Sequence, residues 1–109
     1  MSITFDQFAA VEMRVGIVRE AEAVPKKDRL LRLVVEFGEE KRQIVAGIRE
    51  SFPDPTVLLG GQFLFVTNLE PRSVGGVESN GMILAVKNAD GVVGLLTPTG
   101  SSFGGSKAG

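Results

Sequence analysis

Short runs in which apolar residues occupy alternate positions are the feature that most restricts the fold of this chain. In the clearest run, Leu31, Leu33, Val35 and Phe37 lie two residues apart. A period of two is typical of a strand with one buried face. Similar runs recur, and together they predict six strands over about residues 11–18, 30–37, 41–48, 62–69, 82–86 and 92–97. The sequence therefore predicts an all-β protein.

The N-terminus is the exception to this period. Thr4 and Gln7 have the spacing of a capping box, in which each side chain bonds to the backbone of the other residue. Ile3 and Phe8 have the spacing of two residues that pack together across the first turn of a helix. These signals predict a short helix over about residues 5–10.

A second helical signal interrupts the strands. Asp54 precedes Pro55, and Gly60 follows shortly afterwards, which predicts one helical turn between the third and fourth strands. Short strands with an interruption at that point fit an OB-fold, a small closed or nearly closed β-barrel. An SH3-like barrel or a small sandwich is the alternative. The turn dipeptide Asn80-Gly81 also suggests a hairpin tip.

Length and composition restrict the possible functions. With 109 residues we expect one domain, with a core over about residues 5–98 and a Gly- and Ser-rich tail over 99–109 that is predicted to be mobile. Cysteine and histidine are both absent, so disulfides and thiolate chemistry are excluded, and neither a metal site nor a cofactor is expected. The lack of cysteine fits a cytoplasmic protein. No run of apolar residues is long enough to predict a membrane span.

The basic segment 25–32 stands out because the whole chain has a formal net charge of −1. It places Lys26, Lys27, Arg29 and Arg32 beside one acid, Asp28, between two predicted strands. Lys and Arg side chains supply salt-dependent affinity for phosphates, whereas an ordinary solvated loop is the plainer reading. Arg32 alternates with apolar residues and should point outward from the sheet. We expect Asp28 to order the loop by hydrogen-bonding its backbone.

Several segments, in order, resemble the tRNA-binding domain found at the C-terminus of many bacterial methionyl-tRNA synthetases and in free-standing structure-specific tRNA-binding proteins. The resemblance covers about residues 5–98, and the segments that carry it are 11–16, 25–31, 42–48, 68–72, 76–82 and 95–98. It implies an OB-fold, a homodimer, and recognition of tRNA shape without catalysis. The partners it implies are tRNA and possibly an aminoacyl-tRNA synthetase. Met1 favours a free-standing protein over a synthetase fragment.

The resemblance also implies a set of tRNA-binding residues. Lys26, Lys27 and Arg29 form the basic loop, and the resemblance adds further positions, which are Arg42, Asn68, Ser79 and Met82. Each has a simpler reading. Arg42 could balance nearby acids, Ser79 could belong to a hairpin tip, and Met82 could fill the core.

The aromatic residues bear on how RNA would be recognised. Tyr and Trp are absent, and five phenylalanines lie in apolar patterns that predict core positions: Phe5, Phe8, Phe37, Phe63 and Phe65. Only Phe52 and Phe103 are expected to be exposed. OB-folds that bind single strands usually stack bases on exposed aromatic side chains. The sequence therefore favours contacts to the backbone of a folded RNA.

Other functions remain open at this stage. A related branch of the same family has been described as a peptide-binding or export chaperone, and Phe52, Leu58 and Leu59 are candidates for its apolar groove. A module that docks synthetases to one another is a third possibility, and an enzyme is the weakest. For self-association we expect the apolar last hairpin to be used, through Val92, Val93, Leu95 and Leu96.

Overall fold

A computed structural model describes the whole chain, residues 1–109. The N-terminal helix α1 spans Phe5–Ala9 and has the predicted capping box, because Gln7 N donates to Thr4 Oγ1 at 3.1 Å and Thr4 N donates to Gln7 Oε1 at 2.9 Å. Ile3 stays exposed, and Phe8 instead lies near Phe5, with 6.5 Å between the ring centroids. No helix is long and apolar enough to cross a membrane.

The remainder of the chain is almost entirely β-structure. Ten strands follow α1, and they are β1 (Met13–Ala23), β2 (Leu31–Phe37), β3 (Glu40–Ala46), β4 (Gln62–Val66), β5 (Arg72–Val74), β6 (Val77–Ser79), β7 (Met82–Ile83), β8 (Ala85–Lys87), β9 (Val93–Leu95) and β10 (Lys107–Ala108). The main sheet has the order β3-β2-β1-β4-β7, with β10 also on β1. β5 with β6, and β8 with β9, form two separate antiparallel hairpins.

The first strand is longer than predicted. Its register with β2 shifts between Val18 and Glu20, and pairing then continues to Ala23 opposite Leu31. One extra residue in a strand bends it and increases its twist. In the sequence, the alternation of apolar residues slips at Val18, and the structure shows that this slip marks a bulge within β1 and not the end of the strand.

The main sheet curls so that its two edge strands, β3 and β7, approach each other. Asn80 N donates to Gln43 O at 2.8 Å, and Val45 N donates to Ser79 Oγ at 3.0 Å, so the segment before β7 is joined to β3. A 3₁₀ helix over Pro55–Leu58 lies between β3 and β4, as predicted, and Asp54 caps it by accepting from Thr56 N at 3.1 Å. The predicted OB-like barrel is therefore confirmed.

The inner faces of β2 and β3 supply most of the core. The predicted inward positions of β2 are all buried, as are Ile44 and Ala46 of β3. Phe37 and Phe65 pack edge to face, with their ring centroids 5.3 Å apart. Leu58 of the 3₁₀ helix is buried in the same cluster, so it cannot line an exposed groove with Phe52 and Leu59, as the chaperone reading required.

The predicted hairpin tip at Asn80-Gly81 is wrong. The turn of the β5–β6 hairpin is Gly75-Gly76, where φ is +58° and +83°. Two consecutive positive φ values favour glycine at both positions. Asn80 and Gly81 instead connect β6 to β7, which pairs with β4. The last predicted hairpin is also divided, because Met82–Ile83 joins the main sheet and only Ala85–Lys87 pairs with β9.

The tail after Thr99 is not separate from the barrel, contrary to the prediction of a mobile segment. Val15 N donates to Ser106 O at 2.8 Å and Gly105 N donates to Val15 O at 2.7 Å, after which β10 pairs with β1. β2 covers β1 only from Ile17 onward. The tail therefore supplies a backbone partner to the part of β1 that β2 leaves open.

Candidate nucleic-acid interface

The basic loop connects β1 to β2 and lies at one end of the barrel. Backbone bonds close it, with Val24 N donating to Leu30 O at 3.1 Å and Lys27 N donating to Val24 O at 3.2 Å. Lys26 has φ +63°, the one left-handed backbone among the non-glycine residues. This conformation is unfavourable for a lysine, and it leaves Lys26 and Lys27 exposed at the tip of the loop.

Arg49, just after β3, supports this loop. Its Nη1 donates to Lys27 O at 2.8 Å and its backbone N donates to Arg29 O at 3.2 Å. Asp28 makes no hydrogen bond or ion pair, so the ordering role predicted for it belongs to Arg49. Gly75 also matters, because a Cβ at that position would overlap Leu30 Cδ1. The β5–β6 turn therefore packs directly against the loop.

The β8–β9 hairpin brings a fifth cation to the same end. Val93 N donates to Ser51 Oγ at 2.9 Å and so attaches the hairpin to the segment after β3. Lys87 of this hairpin and Arg29 of the basic loop line one cleft. We call the resulting group of side chains the cationic rim, and it consists of Lys26, Lys27, Arg29, Arg49 and Lys87.

Arg29 is the member of the rim that has an acidic partner. Its Nε lies 3.3 Å from Glu50 Oε1, and the two side chains are 82% and 72% exposed. Exposed pairs of this kind contribute only about 0–1 kcal/mol because water and salt screen them. The pairing therefore does not remove Arg29 from the set of groups that could meet a phosphate.

Met82 lies beside the rim, in a shallow depression of about 210 Å³. Arg72 borders the same depression, and Gly47 and Ile48 line both this depression and the cleft of Arg29. The side chain of Met82 is exposed, so it is not core filling. The depression that holds Met82 and the cleft that holds Arg29 therefore adjoin each other, and Met82 as a tRNA contact stays a prediction.

Ser79 is not on the surface. Its residue is 0% exposed, and its hydroxyl accepts from Val45 N at 3.0 Å and donates to Gly81 O at 3.0 Å. Both hydrogen-bonding functions of the hydroxyl are therefore used inside the barrel. This is a correction to the sequence prediction, because a buried and fully bonded hydroxyl cannot reach RNA in this structure.

Asn68 is exposed but lies away from the rim. Its Oδ1 accepts from Glu12 N at 2.8 Å and its Nδ2 donates to Ala10 O at 2.6 Å. These bonds hold the segment between α1 and β1. Because that segment precedes β1 and the basic loop follows it, Asn68 and the rim lie at opposite ends of an 11-residue strand. The side chain of Asn68 is therefore engaged in holding the start of β1 and does not belong to the cationic rim.

Arg42 has a place inside the fold rather than on a basic surface. Its side chain is 17% exposed, its Nε lies 2.6 Å from Glu40 Oε1, and its Nη1 donates to the carbonyl of Thr67. The guanidinium also lies over the ring of Phe37, 5.7 Å from the centroid. The hydrogen bond from Arg42 holds the pKa of Glu40 below its ordinary value. In the sequence analysis, the simpler reading of Arg42 was that it balances nearby acids. This arrangement agrees with that reading.

Three other arginines on the strands are paired in the same way, with Arg14 beside Glu12, Arg19 beside Glu36, and Arg32 beside Glu20 and Glu22. A hydrogen bond from the Thr67 hydroxyl is the main cause that lowers the pKa of Glu12, and one from Arg19 lowers that of Glu36. We call Arg14, Arg19, Arg32 and Arg42 the wall arginines. Each of them has a carboxylate within ion-pair distance.

Two of the phenylalanine predictions fail at α1. Phe5 is 79% exposed and Phe8 is also exposed, although both lie in apolar patterns, whereas Phe52 is half-buried against the core and not exposed. Phe103 is exposed, as predicted. The pattern was misleading because α1 packs no side chain into the barrel.

Comparison with known proteins gives a consistent result. The sequence model of a family described as "Putative tRNA binding domain" matches residues 13–107. A methionine–tRNA ligase from Chloroherpeton thalassium is 47% identical over 104 residues, which is 95% of this chain and 15% of that protein. The chain thus spans less than a sixth of the length of this curated relative.

Crystal structures of other proteins that resemble the whole chain include the following two. A MetRS-related protein from Pyrococcus horikoshii superposes with a TM-score of 0.91 and 37% identity, over 99% of this chain and 98% of that one. The chaperone CsaA from Bacillus anthracis superposes with a TM-score of 0.89 and 31% identity, over all of both chains.

Proposed function

Because this chain belongs to the tRNA-binding domain family, we propose that it is a noncatalytic domain that binds the folded body of tRNA through the cationic rim. The observation that carries this proposal is the concentration of charge: four of the five rim cations have no carboxylate partner, although the whole chain has a net charge of −1. Lys and Arg side chains facing phosphates supply affinity without reading the base sequence.

The position of the exposed aromatic residues supports recognition of shape over stacking. Phe5 and Phe8 lie on α1, at the opposite end of β1 from the basic loop. The rim itself contains only Lys and Arg, and the exposed apolar residues near it, such as Val86 and Met82, are not aromatic. Without an aromatic platform, single-stranded bases gain little there. The spacing of phosphates in a folded RNA is then the property that the rim can recognise.

A catalytic role is not part of this proposal. The chain has no histidine, and the carboxyls of Glu12, Glu36 and Glu40 have pKa values lowered by hydrogen bonds from neighbours. Carboxylates held in their charged form by such bonds are poor general acids. The domain would instead raise the tRNA affinity of an aminoacyl-tRNA synthetase in the cytoplasm, or stabilise tRNA itself.

We further propose that the chain acts as a homodimer. A dimer would present two rims, and two linked contacts with one RNA raise the effective affinity. The helix α1 is the better candidate for the contact than the last hairpin, because Val93 and Leu95 pack on the core, while α1 buries nothing and exposes Phe5 and Phe8. Sedimentation of the wild type and of Phe5→Ser tests this, since a monomeric wild type would contradict it.

The test of RNA binding is a titration with folded tRNA, thermally unfolded tRNA and duplex DNA under one buffer condition. We expect folded tRNA to bind most tightly, because only its phosphates are held in a compact arrangement. Equal affinity for all three nucleic acids would show that the domain binds polyanions without specificity for folded tRNA. No measurable binding of folded tRNA would overturn it.

A chaperone function is the second candidate, and one observation favours it. An apolar groove of about 640 Å³ runs beside β10, and its lining includes Val15, Leu64, Leu95 and Leu96. CsaA, which is called a chaperone, has the same fold over its whole length. Suppression of the aggregation of an unfolded test protein, lost in Leu96→Asp, would support this function. The same assay without any effect would remove it.

A further inference from the structure

The cleft between the basic loop and the β8–β9 hairpin lies within the cationic rim. It has a volume of about 120 Å³, and Arg29, Glu50, Ser51 and Lys87 are among its lining residues. We infer that this cleft is a single-phosphate subsite of the RNA interface, and that Glu50 is a counter-ion which an RNA phosphate displaces from Arg29. This inference rests on the proposed function. It adds Glu50 as a residue that weakens the binding of RNA.

The size and lining of the cleft fit a phosphate and not a base. Pockets that enclose a drug-sized ligand have roughly 300–1,000 Å³ and are mostly apolar. This cleft is smaller, and only two of its eight lining residues are hydrophobic. No aromatic side chain lines it. A small polar cleft with two cations is suited to a compact anion.

The two cations come from different parts of the chain and are held in place independently. Arg29 lies in the basic loop, and Arg49 holds this loop in place by donating a hydrogen bond to Lys27 O. Lys87 lies on the hairpin that Ser51 attaches to the barrel through Val93 N. The Ser51 hydroxyl accepts that bond, and its own proton is free to donate to a phosphate oxygen.

Glu50 is the one acid that competes for this cleft. Its carboxylate stands 3.3 Å from Arg29, close to where a phosphate oxygen would bind. Because both side chains are mostly exposed, the pair is weak and an incoming phosphate can replace the carboxylate. Glu50 therefore lowers the affinity of the rim for any anion, and an RNA must offset this loss with its contacts to Lys26, Lys27 and Lys87.

The decisive variant is Glu50→Gln, with Glu39→Gln as its matched control. Both changes remove one negative charge from an exposed acid. Glu39 lies in the turn between β2 and β3, at the end of the barrel opposite the basic loop. At low salt we expect Glu50→Gln to bind folded tRNA about two- to fivefold more tightly than wild type, and Glu39→Gln to bind like wild type.

A second pair of variants tests the cationic side of the subsite. Lys87→Gln should weaken tRNA binding and make the slope of log K against log salt shallower by about one. Lys41→Gln removes an exposed lysine at the opposite end of the barrel and should change neither quantity.

The outcomes separate this inference from the function on which it rests. If the wild type binds tRNA but Glu50→Gln gains no affinity, or if Lys87→Gln keeps the wild-type slope, the subsite is wrong and the proposed function stands. An equal gain from Glu50→Gln and Glu39→Gln would show an effect of net charge alone and would also overturn the subsite. A wild type that binds no tRNA would overturn both.

Discussion

The cationic rim and the wall arginines use the same kind of charge in opposite surroundings. Each wall arginine has a carboxylate within ion-pair distance, and Arg42 is in addition largely buried over Phe37. In the rim only Arg29 has such a partner, and that pair is open to solvent. Paired cations contribute to the fold, whereas unpaired cations remain available to an outside anion.

This difference explains how a chain with a net charge of −1 can be proposed to bind a polyanion. Five of the thirteen acids lie beside the four wall arginines, so the charges of the wall arginines do not add to a basic surface. The local field at the rim is set by nearby charges because exposed charges are screened beyond about 10 Å at 0.1 M salt. Net charge is therefore a poor guide to binding here.

The largest expected effect comes from reversing two rim charges. In Lys26→Glu/Lys27→Glu we expect the affinity for folded tRNA to fall by about 100-fold or more, since two charge-assisted contacts become repulsions. The matched control is Lys41→Glu/Lys107→Glu, which alters net charge equally at two exposed lysines outside the rim. Fluorescence anisotropy with labelled tRNA measures both. An equal loss of affinity in the two double variants would show an effect of net charge alone and would contradict a specific role for the rim.

The second effect concerns a wall arginine. Arg42→Met should destabilise the fold by about 2 kcal/mol, because the Thr67 carbonyl and the Glu40 carboxylate lose a charged donor. Urea unfolding monitored by circular dichroism measures the change. The tRNA affinity of the folded variant should equal that of the wild type. A stable variant with weakened binding would instead place Arg42 in the interface.

Ser79→Ala should destabilise the fold to a similar extent. Ser79→Ala removes the acceptor for Val45 N in the buried segment that closes the barrel. An unsatisfied buried donor costs about 1–3 kcal/mol, and we expect a loss of this size in urea unfolding. Binding of tRNA by the folded variant should not change. A selective loss of binding would restore Ser79 to the site.

Acid should destabilise the fold through three glutamates only when the pH falls below their ordinary pKa of 4.5. The pKa values of Glu12, Glu36 and Glu40 lie below their ordinary value of 4.5 in the folded chain, so the folded state holds fewer protons than the unfolded state near that pH. Their stabilising contribution is present above pH 4.5 and is lost as the pH falls through the lowered values. Between about pH 5.5 and 8, these three carboxyls should cause no change in the free energy of unfolding or in the tRNA affinity. A loss of stability that begins near pH 6 would contradict this origin.

The smallest effect is expected at Lys26. Asparagine tolerates the left-handed backbone better than lysine, so Lys26→Asn should keep or slightly raise the free energy of unfolding while it weakens tRNA binding a few-fold. If Lys26→Asn instead lowers the free energy of unfolding, the left-handed backbone at Lys26 is not a source of strain. Thermal unfolding and the anisotropy titration provide the two readouts.

The sequence was a good guide wherever a local pattern decides the structure. The alternation in β2, the capping box at Thr4 and the cap at Asp54 all depend on neighbours within a few residues, and each prediction is confirmed. The place of the tail was missed because it depends on an edge of β1 that β2 leaves open, which no local pattern reveals.

The site was predicted less well than the fold for a related reason. Lys26, Lys27 and Arg29 are adjacent in sequence, so their clustering was visible. Arg49 and Lys87 are single cations in distant segments, and only the closure of the barrel brings them to the same end. Ser79 carries a polar group that a loop would expose, but the pairing of β6 beside β3 buries it.

The salt dependence of tRNA binding tests the central division between rim and wall most directly. If three or four phosphates are neutralised, log K should fall with log salt at a slope of roughly −2 to −4. Lys27→Gln should make that slope shallower by about one, and Arg19→Gln should leave it unchanged. A flat response of the wild type, or an equal change from Arg19→Gln, would contradict the account.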